Sequence, residues 1–365
     1  MDRYIIKNGK NLRMGYTTGT CAAIASKAAC KMLLTGERVE SATIDTPAGI
    51  SVTADINDII MEHDSVSCAV IKDAGDDPDV TDGMAIYAMA EKCDRGVIIK
   101  GGKGIGIVTK PGLDQPVGEY AINSTPRRII TETVQALMAG YKYDGGVMLT
   151  ISAPEGEETA KKTFNPRMGI EGGISIIGTT GIVEPMSNDA IISTTRLEIR
   201  QRKAKGDEIL YLAPGRIGER FAKDELGIDA DSCTLCSNNI GEAFDAALEA
   251  GFKDIWLIGH VGKLVKLGYG ARNTHSTNND GRMEELVFCG LKAGASVECL
   301  SKVSECVTCD GAFALFSEEH KADKVMEILG ERICDTVRRW VKDVKVTIIC
   351  FTSAEADGKY HRFEI

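Results

Sequence analysis

EILYLAPGRIGERFA, Glu208–Ala222, reads as an apolar strand that ends at Pro214-Gly215 and turns into a helix. The same grammar repeats downstream. Ser232–Ser237 is a short strand-like stretch, followed by a helix with Ile240, Ala243, Phe244, Ala247 and Leu248 on one face. Asn239 and Glu242 have capping-box spacing at its start, and Gly251 ends it. Asp254–Ile258 is a third strand, running into GHVGKLVKLG. Strand and helix alternating at this rhythm predict parallel βαβ units, whose ligands bind where strand C-termini give way to helices. Arg216, His260 and Lys263 sit at such ends. Two C-terminal helical stretches and a last strand, Val344–Phe351, complete a Rossmann-like, three-layer α/β domain with a mainly parallel sheet over residues 206–365.

Residues 1–205 read as a separate α+β domain. Its most telling stretch is GGISIIGTTGIVEPMS, Gly172–Ser187. Ile174, Ile176 and Ile177 predict a short strand, Thr179-Thr180-Gly181 a turn, and Glu184-Pro185 the start of a helix that ends near Gly206. A similar corner occurs in MGYTTGTCAAIASK, Met14–Lys27, where Thr17, Thr18, Gly19 and Thr20 precede a helix. That helix carries Cys21, Ala25, Ala28, Ala29 and Met32 on one stripe. A strand turning sharply into a helix leaves N–H groups and hydroxyls facing outward, a seat for a carboxylate or phosphate. Ordinary glycine turns make the same punctuation without binding anything.

Between the corners, Val39–Ile56 reads as a hairpin and Ser65–Ile71 as a strand. KDAGDDPDVTDG, Lys72–Gly83, is acidic, but Pro78 and the spacing rule out an EF-hand. It is either a solvated loop or a site that orients ammonium or hydroxyl groups. The strand Gly96–Lys100 leads into GGKGIGIVTKPGLDQPVGE, where glycines surround Lys103 and Lys110 follows. This resembles a phosphate loop, yet no Gly-Lys-Ser/Thr closes it and it is no dinucleotide fingerprint. Arg127 and Arg128 open a helix running to Gly140, against its dipole, which predicts an anionic partner for at least one.

The 365 residues, 43% hydrophobic and 26% charged, describe a globular protein long enough for two domains. No apolar run approaches the ~20 residues that span a bilayer, and MDRYIIKNGKN lacks a secretory signal, so a cytoplasmic location is expected. A net charge of −10 and 5% aromatics argue against nucleic acid as a partner. Twelve cysteines point to free thiols. The pairs Cys233/Cys236 and Cys306/Cys309 could serve a zinc-stabilised binding module, but their separation is too long for a compact zinc site, and no metal site is expected. His260 and His275 fall at loop positions suited to chemistry, whereas no Ser-His-Asp or paired-carboxylate arrangement can be assembled from spacing.

LRMGYTTGTCAA, CAVIKDAGDDPDVT, VTKPGLDQPVGE, TFNPRMGIEGGISIIGTTGIVEPMS, CSNNIGEA and GHVGKLVKLGYGARNTHS, taken in order from Leu12 to Leu286, resemble the motifs of the cobalt-precorrin-5B C-1 methyltransferases of anaerobic cobalamin biosynthesis. Asn123-Ser-Thr-Pro126 departs from that family's Pro-rich form. The resemblance implies methyl transfer from S-adenosylmethionine to C-1 of a tetrapyrrole, on a fold unlike the usual glycine-loop methyltransferases. Cobalt then arrives only as part of the substrate. It further implies that Thr17, Thr18, Gly19, Thr20, Thr179, Thr180 and Gly181 meet the donor's carboxylate, and Asp73, Asp77 or Glu184 its amine. Lys103, Lys110, Arg127, Arg216, Lys263, Lys266 and Arg272 would hold the macrocycle's acetates and propionates. His260 or His275 would take the proton released. A nucleotide-dependent phosphotransferase built on Gly101–Gly106 is the competing enzyme. Whether the chain forms a homo-oligomer is left open.

Overall fold

Alternating burial builds the first sheet. In Ala85–Cys93, Ile86, Ala88 and Ala90 are buried while their neighbours are half-exposed, as a strand with one covered face requires. The computed structural model describes residues 2–7, 9–278, 280–354 and 357–365, and the chain divides into two compact units, Met1–Ser187 and Asn188–Ile365.

The first unit begins with the hairpin β1 (Tyr4–Lys7) and β2 (Lys10–Arg13), the short β3 (Gly15–Tyr16) and helix α1 (Thr18–Thr35). There follow β4 (Ser41–Asp45), β5 (Ser51–Asp55), β6 (Asn57–Met61), β7 (Ser65–Ile71), β8 (Ala85–Cys93), β9 (Gly96–Gly101) and β10 (Ile107–Val108). Helix α2 (Ser124–Gly140), β11 (Gly146–Ser152), the short helices α3 (Gly156–Ala160) and α4 (Asn165–Met168), β12 (Ile170–Glu171) and β13 (Ile182–Val183) complete it. The main sheet has the order β6-β7-β8-β11-β9 and is antiparallel except for β11/β9. That parallel pair needs a crossover, which α2 supplies. Helix α1 packs on β7, β8 and α2. Its alanine stripe permits this close approach, and Cys21, Ala22, Ala25, Ala28, Ala29 and Met32 are fully buried.

The N-terminus of α2 meets an anion: Asp114 accepts hydrogen bonds from the Ser124 N–H and, at 3.1 Å, from its hydroxyl. Asp114→Ala should remove a side-chain cap worth about 1 kcal/mol. Thermal melts should then show a Tm lower by about 2–4 °C for a unit of this size. Of the two arginines, at least one of which was expected to meet an anion, Arg127 donates to the carbonyls of Ile122 (2.8 Å) and Ile99 (3.4 Å) and lies 3.9 Å from Glu119. Arg128 makes an exposed pair with Glu132 one turn on.

The second unit opens with α5 (Asn188–Lys205), then β14 (Ile209–Ala213), α6 (Arg216–Leu226), β15 (Cys233–Leu235), α7 (Ile240–Glu249), β16 (Asp254–His260) and α8 (Val261–Gly268). Four helices follow, α9 (Arg282–Ala293), α10 (Val297–Ser304), α11 (Cys309–Glu318) and α12 (Ala322–Arg338), where two stretches were expected. The strands β17 (Lys345–Phe351) and β18 (Tyr360–Glu364) close the chain. Helix α5, expected to end the first domain, packs instead on α7 and β15.

The sheet order is β15-β14-β16-β17-β18, parallel except for β18. Leu210, Leu212, Ile255 and Leu257 join the core under α5, α7, α8 and α12, while Ile258 and Ile349 face Ala222 of α6. The layers and the mainly parallel sheet are those expected. Gly218 makes the α6 layer possible, because a Cβ there would lie 2.4 Å from the Ile258 carbonyl oxygen. Asn239 does not act as the expected capping-box residue of α7: its side chain bonds Asn188 and Asn273 instead. No described helix is long and apolar enough to cross a membrane.

Candidate active site

The two Thr-Thr-Gly bends, far apart in sequence, meet. Strand β13 pairs with β3, so that Ile182 faces Tyr16. The Thr17 N–H donates to the Gly181 carbonyl (3.1 Å) and the Gly19 N–H to that of Ile177 (2.9 Å). The Thr20 hydroxyl donates to Gly181 O at 2.6 Å, and the Thr18 hydroxyl accepts the Ile177 N–H at 3.0 Å. Thr17 caps α1 by accepting the Thr20 N–H at 3.2 Å.

This arrangement corrects one expectation. The N–H groups of Gly19 and Thr20 at the start of α1 are spent on protein acceptors, and Thr18, Gly19 and Thr20 are buried. The second bend is not a helix entrance. Ile174 and Ile176 make only single bridges, to Ile105 and Ile122, and Thr179-Thr180-Gly181 turns back into β13. Helix α5 starts at Asn188, beyond Glu184-Pro185 and after Met186 has adopted a left-handed φ of 55°. The bends therefore grip each other, and α1's macrodipole points into protein. Thr179, Thr180 and Glu184 remain on the surface.

The acidic loop is similarly self-contained. Asp73 takes both guanidinium arms of Arg13, at 2.5 and 2.7 Å, and the Arg13 hydrogen bonds hold its carboxyl below the usual carboxylate range. Asp77 accepts the Met186 N–H at 2.9 Å. Lys72, 2% exposed, donates to Asp79 at 2.6 Å, and Asp79 also accepts from the Thr81 N–H and hydroxyl. These carboxylates fasten the loop to its neighbours, which leaves less of them for a ligand's ammonium group.

The glycine-rich loop does not cradle phosphate. Gly104 sits at φ 74°, and a Cβ there would lie 1.8 Å from the Ala153 carbonyl oxygen. Added Cβ atoms at Gly156 and Gly173 would lie 2.0 and 2.2 Å from Gly104 O. The glycines let protein backbone meet protein backbone. Lys103 is exposed, and Lys110 donates to the Arg167 carbonyl at 3.0 Å. Among the described residues no group of three metal-binding side chains occurs, and burial pushes the Cys236 thiol up to about 12. Nothing here favours the zinc module or the phosphotransferase.

In the second unit the chain leaves β14 toward β15 on one side and returns to β16 on the other, so the strand order reverses between β14 and β16. Ligands of such sheets bind in the crevice at this switch point. Lys263, in the first turn of α8, donates to the Pro214 carbonyl at the exit of β14. Arg216 begins α6 immediately after and is exposed.

His260 ends β16 and caps α8: its Nδ1 accepts the Gly262 N–H at 3.1 Å. The proton must then be on Nε2, which donates to Asp310 Oδ1 at 3.1 Å. Asp310 Oδ1 also accepts the Ser353 N–H at 3.0 Å, tying the exit of β17 to that of β16. With both nitrogens engaged, His260 is a brace rather than a free base. His275 lies in an exposed loop with Nδ1 bonded to the Thr277 hydroxyl at 2.7 Å. Lys266 is 4% exposed and pairs with Asp280 at 3.5 Å. Arg272 is held by Asp245 (2.5 Å), the Gly241 carbonyl (3.0 Å) and the face of Trp340. Of the expected basic residues, the fold thus gathers Arg216 and Lys263 at the switch point. Asp310 and Ser353 carried no sequence signal, since only folding brings them to His260.

Residues 5–185 match the family model described as CbiD, and residues 273–356 the model described as CbiD, C-terminal domain. A protein of Ruminiclostridium cellulolyticum named Cobalt-precorrin-5B C(1)-methyltransferase is 47% identical over 333 residues, covering 91% of this chain and 87% of that one. A protein of the same name from Photorhabdus laumondii is 42% identical over 336 residues, covering 92% and 88%. A crystal structure of cobalamin biosynthesis protein (cbiD) from Archaeoglobus fulgidus is 30% identical, covers 77% of this chain and 87% of that chain, and superposes with a TM-score of 0.41.

Proposed function

This chain belongs to the CbiD family, and we propose that it transfers a methyl group to C-1 of cobalt-precorrin-5B in cobalamin biosynthesis, giving cobalt-precorrin-6A. The observation that carries this reading is the identity of 47% to a relative of that name over 91% of the chain. S-adenosylmethionine is the proposed donor and supplies an electrophilic methyl on a sulfonium. Methyl transfer from a sulfonium asks for close in-line approach more than for acid–base help, so positioning by the protein is the main requirement.

The donor and the macrocycle both bring carboxylates, and each must be met by N–H groups or cations. The Thr17–Thr20 bend fits this duty poorly because its polar groups are spent on the carbonyls of Ile177 and Gly181 and on one another, while Thr179 and Thr180 stay on the surface. The second unit fits it better, with Arg216 and Lys263 at the sheet's switch point. For the proton that leaves the macrocycle we assign His275, whose Nε2 lies outside the bonds to Thr277 that engage Nδ1.

The test is direct. The purified protein, supplied with cobalt-precorrin-5B and S-adenosylmethionine, should yield a tetrapyrrole heavier by one methyl in place of one hydrogen, with S-adenosylhomocysteine formed in equal amount. Product methylated elsewhere on the ring, or none with both reactants present, would refute the assignment. His275→Ala should lower kcat, while the Tm stays within about 1 °C of wild type, as for an exposed side chain.

A further inference from the structure

The environment of Lys263 is unfavourable to a cation in three ways. It lies in the first turn of α8, where the helix dipole repels positive charge. Burial pulls its amine below the usual lysine range; the Cys236 thiol opposes that pull and the charge of Lys266 adds to it. The Lys263 ammonium donates to a neutral carbonyl, that of Pro214, and no carboxylate lies within ion-pair distance of it among the described residues. Lys72 and Lys266, the other lysines buried in the interior, each pair with a carboxylate, Asp79 and Asp280. A lysine kept under these conditions needs an anion that the chain does not supply.

The surroundings are built to present this charge. His260 caps α8 and so fixes the turn from which Lys263 projects, while Asp310 fixes the tautomer of His260. Beside the ammonium there is room: a Cβ added at Gly215 would have Lys263 Nζ at 3.6 Å and nothing else within 4 Å. Farther along the same edge of the sheet, at the exit of β17, the Ser353 hydroxyl is buried without a hydrogen-bond partner among the described residues. Orphan polar atoms of this kind call for a ligand or ordered water.

We propose that Lys263 anchors a carboxylate of a bound reactant at the switch point between β14 and β16. The proposal deepens the functional reading above and rests on it. The carboxylate belongs either to the amino-acid arm of the methyl donor or to an acetate or propionate of the macrocycle, and the two sources separate by experiment.

Lys263→Met is compared with wild type by thermal melting without ligand, by calorimetric titration with S-adenosylhomocysteine and with 5′-methylthioadenosine, and by the KM for cobalt-precorrin-5B. The variant should melt at or above the wild-type temperature, because an unrelieved charge has been removed. If the donor is the source, S-adenosylhomocysteine should bind about 10- to 100-fold more weakly, the range of one charge-assisted hydrogen bond. Methylthioadenosine, which lacks the carboxylate, should bind as before. If the macrocycle is the source, its KM should rise by a similar factor while S-adenosylhomocysteine binding is unchanged. Lys263→Arg should restore most of whichever is lost. A lower Tm or failure to fold would mark Lys263 as a structural strut and overturn the proposal. So would unchanged binding of both reactants, or equal weakening of methylthioadenosine and S-adenosylhomocysteine. Absence of methyl transfer by the wild type sinks the functional reading alone, since the melting comparison still decides the nature of the lysine.

Discussion

Asp79→Asn is expected to lower the stability of the first unit by about 3–5 kcal/mol, the cost of leaving a buried charge without its partner. Lys72 is 2% exposed and its ammonium donates to Asp79 at 2.6 Å, so the variant strands a cation in the interior. Asparagine also weakens the acceptor that the Thr81 N–H and hydroxyl now use at 2.8 and 2.7 Å. The melting temperature of the unit should fall by about 6–20 °C. Replacing both partners, Lys72→Met with Asp79→Leu, should recover most of the loss, because a buried pair exchanged for apolar groups is often neutral. A double variant no better than Asp79→Asn would refute the pairing account.

The same pair has a pH signature. Burial alone would raise the Asp79 carboxyl, but the charge and hydrogen bond of Lys72, with the Thr81 bonds, outweigh it and hold the carboxyl below its ordinary value. A folded carboxyl that is the stronger acid stabilises above the unfolded pKa of about 3.9, and that share is lost as pH falls through the folded value. Denaturant titrations from about pH 5 downward should therefore show a shallower acid slope for Asp79→Asn than for wild type.

Gly104→Ala should be at least as damaging. The new methyl would lie 1.8 Å from the Ala153 carbonyl oxygen, and that neighbour is backbone, not a side chain able to swing away. The backbone at φ 74° adds about 1–2 kcal/mol for any L-residue. Together these place the variant in the exceptional class beyond ~4 kcal/mol. Gly118→Ala is the control: its φ of 92° is also positive, but nothing lies within 4 Å of the added carbon. It should lose only the backbone share. If the two variants melt alike, the packing role of the glycine loop is wrong, and a ligand-facing role returns.

How far the sequence could be read follows from which forces are local. The βαβ rhythm from Glu208 to Gly268 was legible because strand and helix periods are written in neighbouring residues, and β14, α6, α7 and β16 stand where that rhythm put them. Gly172–Ser187 was misread for the opposite reason. Ile174 and Ile176 are buried as strand residues would be, yet their bonds go to segments around Ile105 and Ile122 that no short window includes. Pro185 suits a helix start, but the left-handed Met186 delays it to Asn188. Among the site residues, Lys263 and Arg216 were legible from their place after strands. That His260 has no nitrogen to spare was not, because Asp310 lies 50 residues onward.

The grip between the two Thr-Thr-Gly bends also dictates an order of events during synthesis. The start of α1 acquires its acceptors only when Ile177 and Gly181 emerge from the ribosome, 159 and 161 residues after Thr18 and Thr20. At elongation rates of about 5–20 residues per second, the nascent alanine-rich helix waits roughly 8–30 s with that end unfastened. A stop codon just short of Ile177 would thus release a chain whose first helix can never be locked, however completely the intervening sheet has formed.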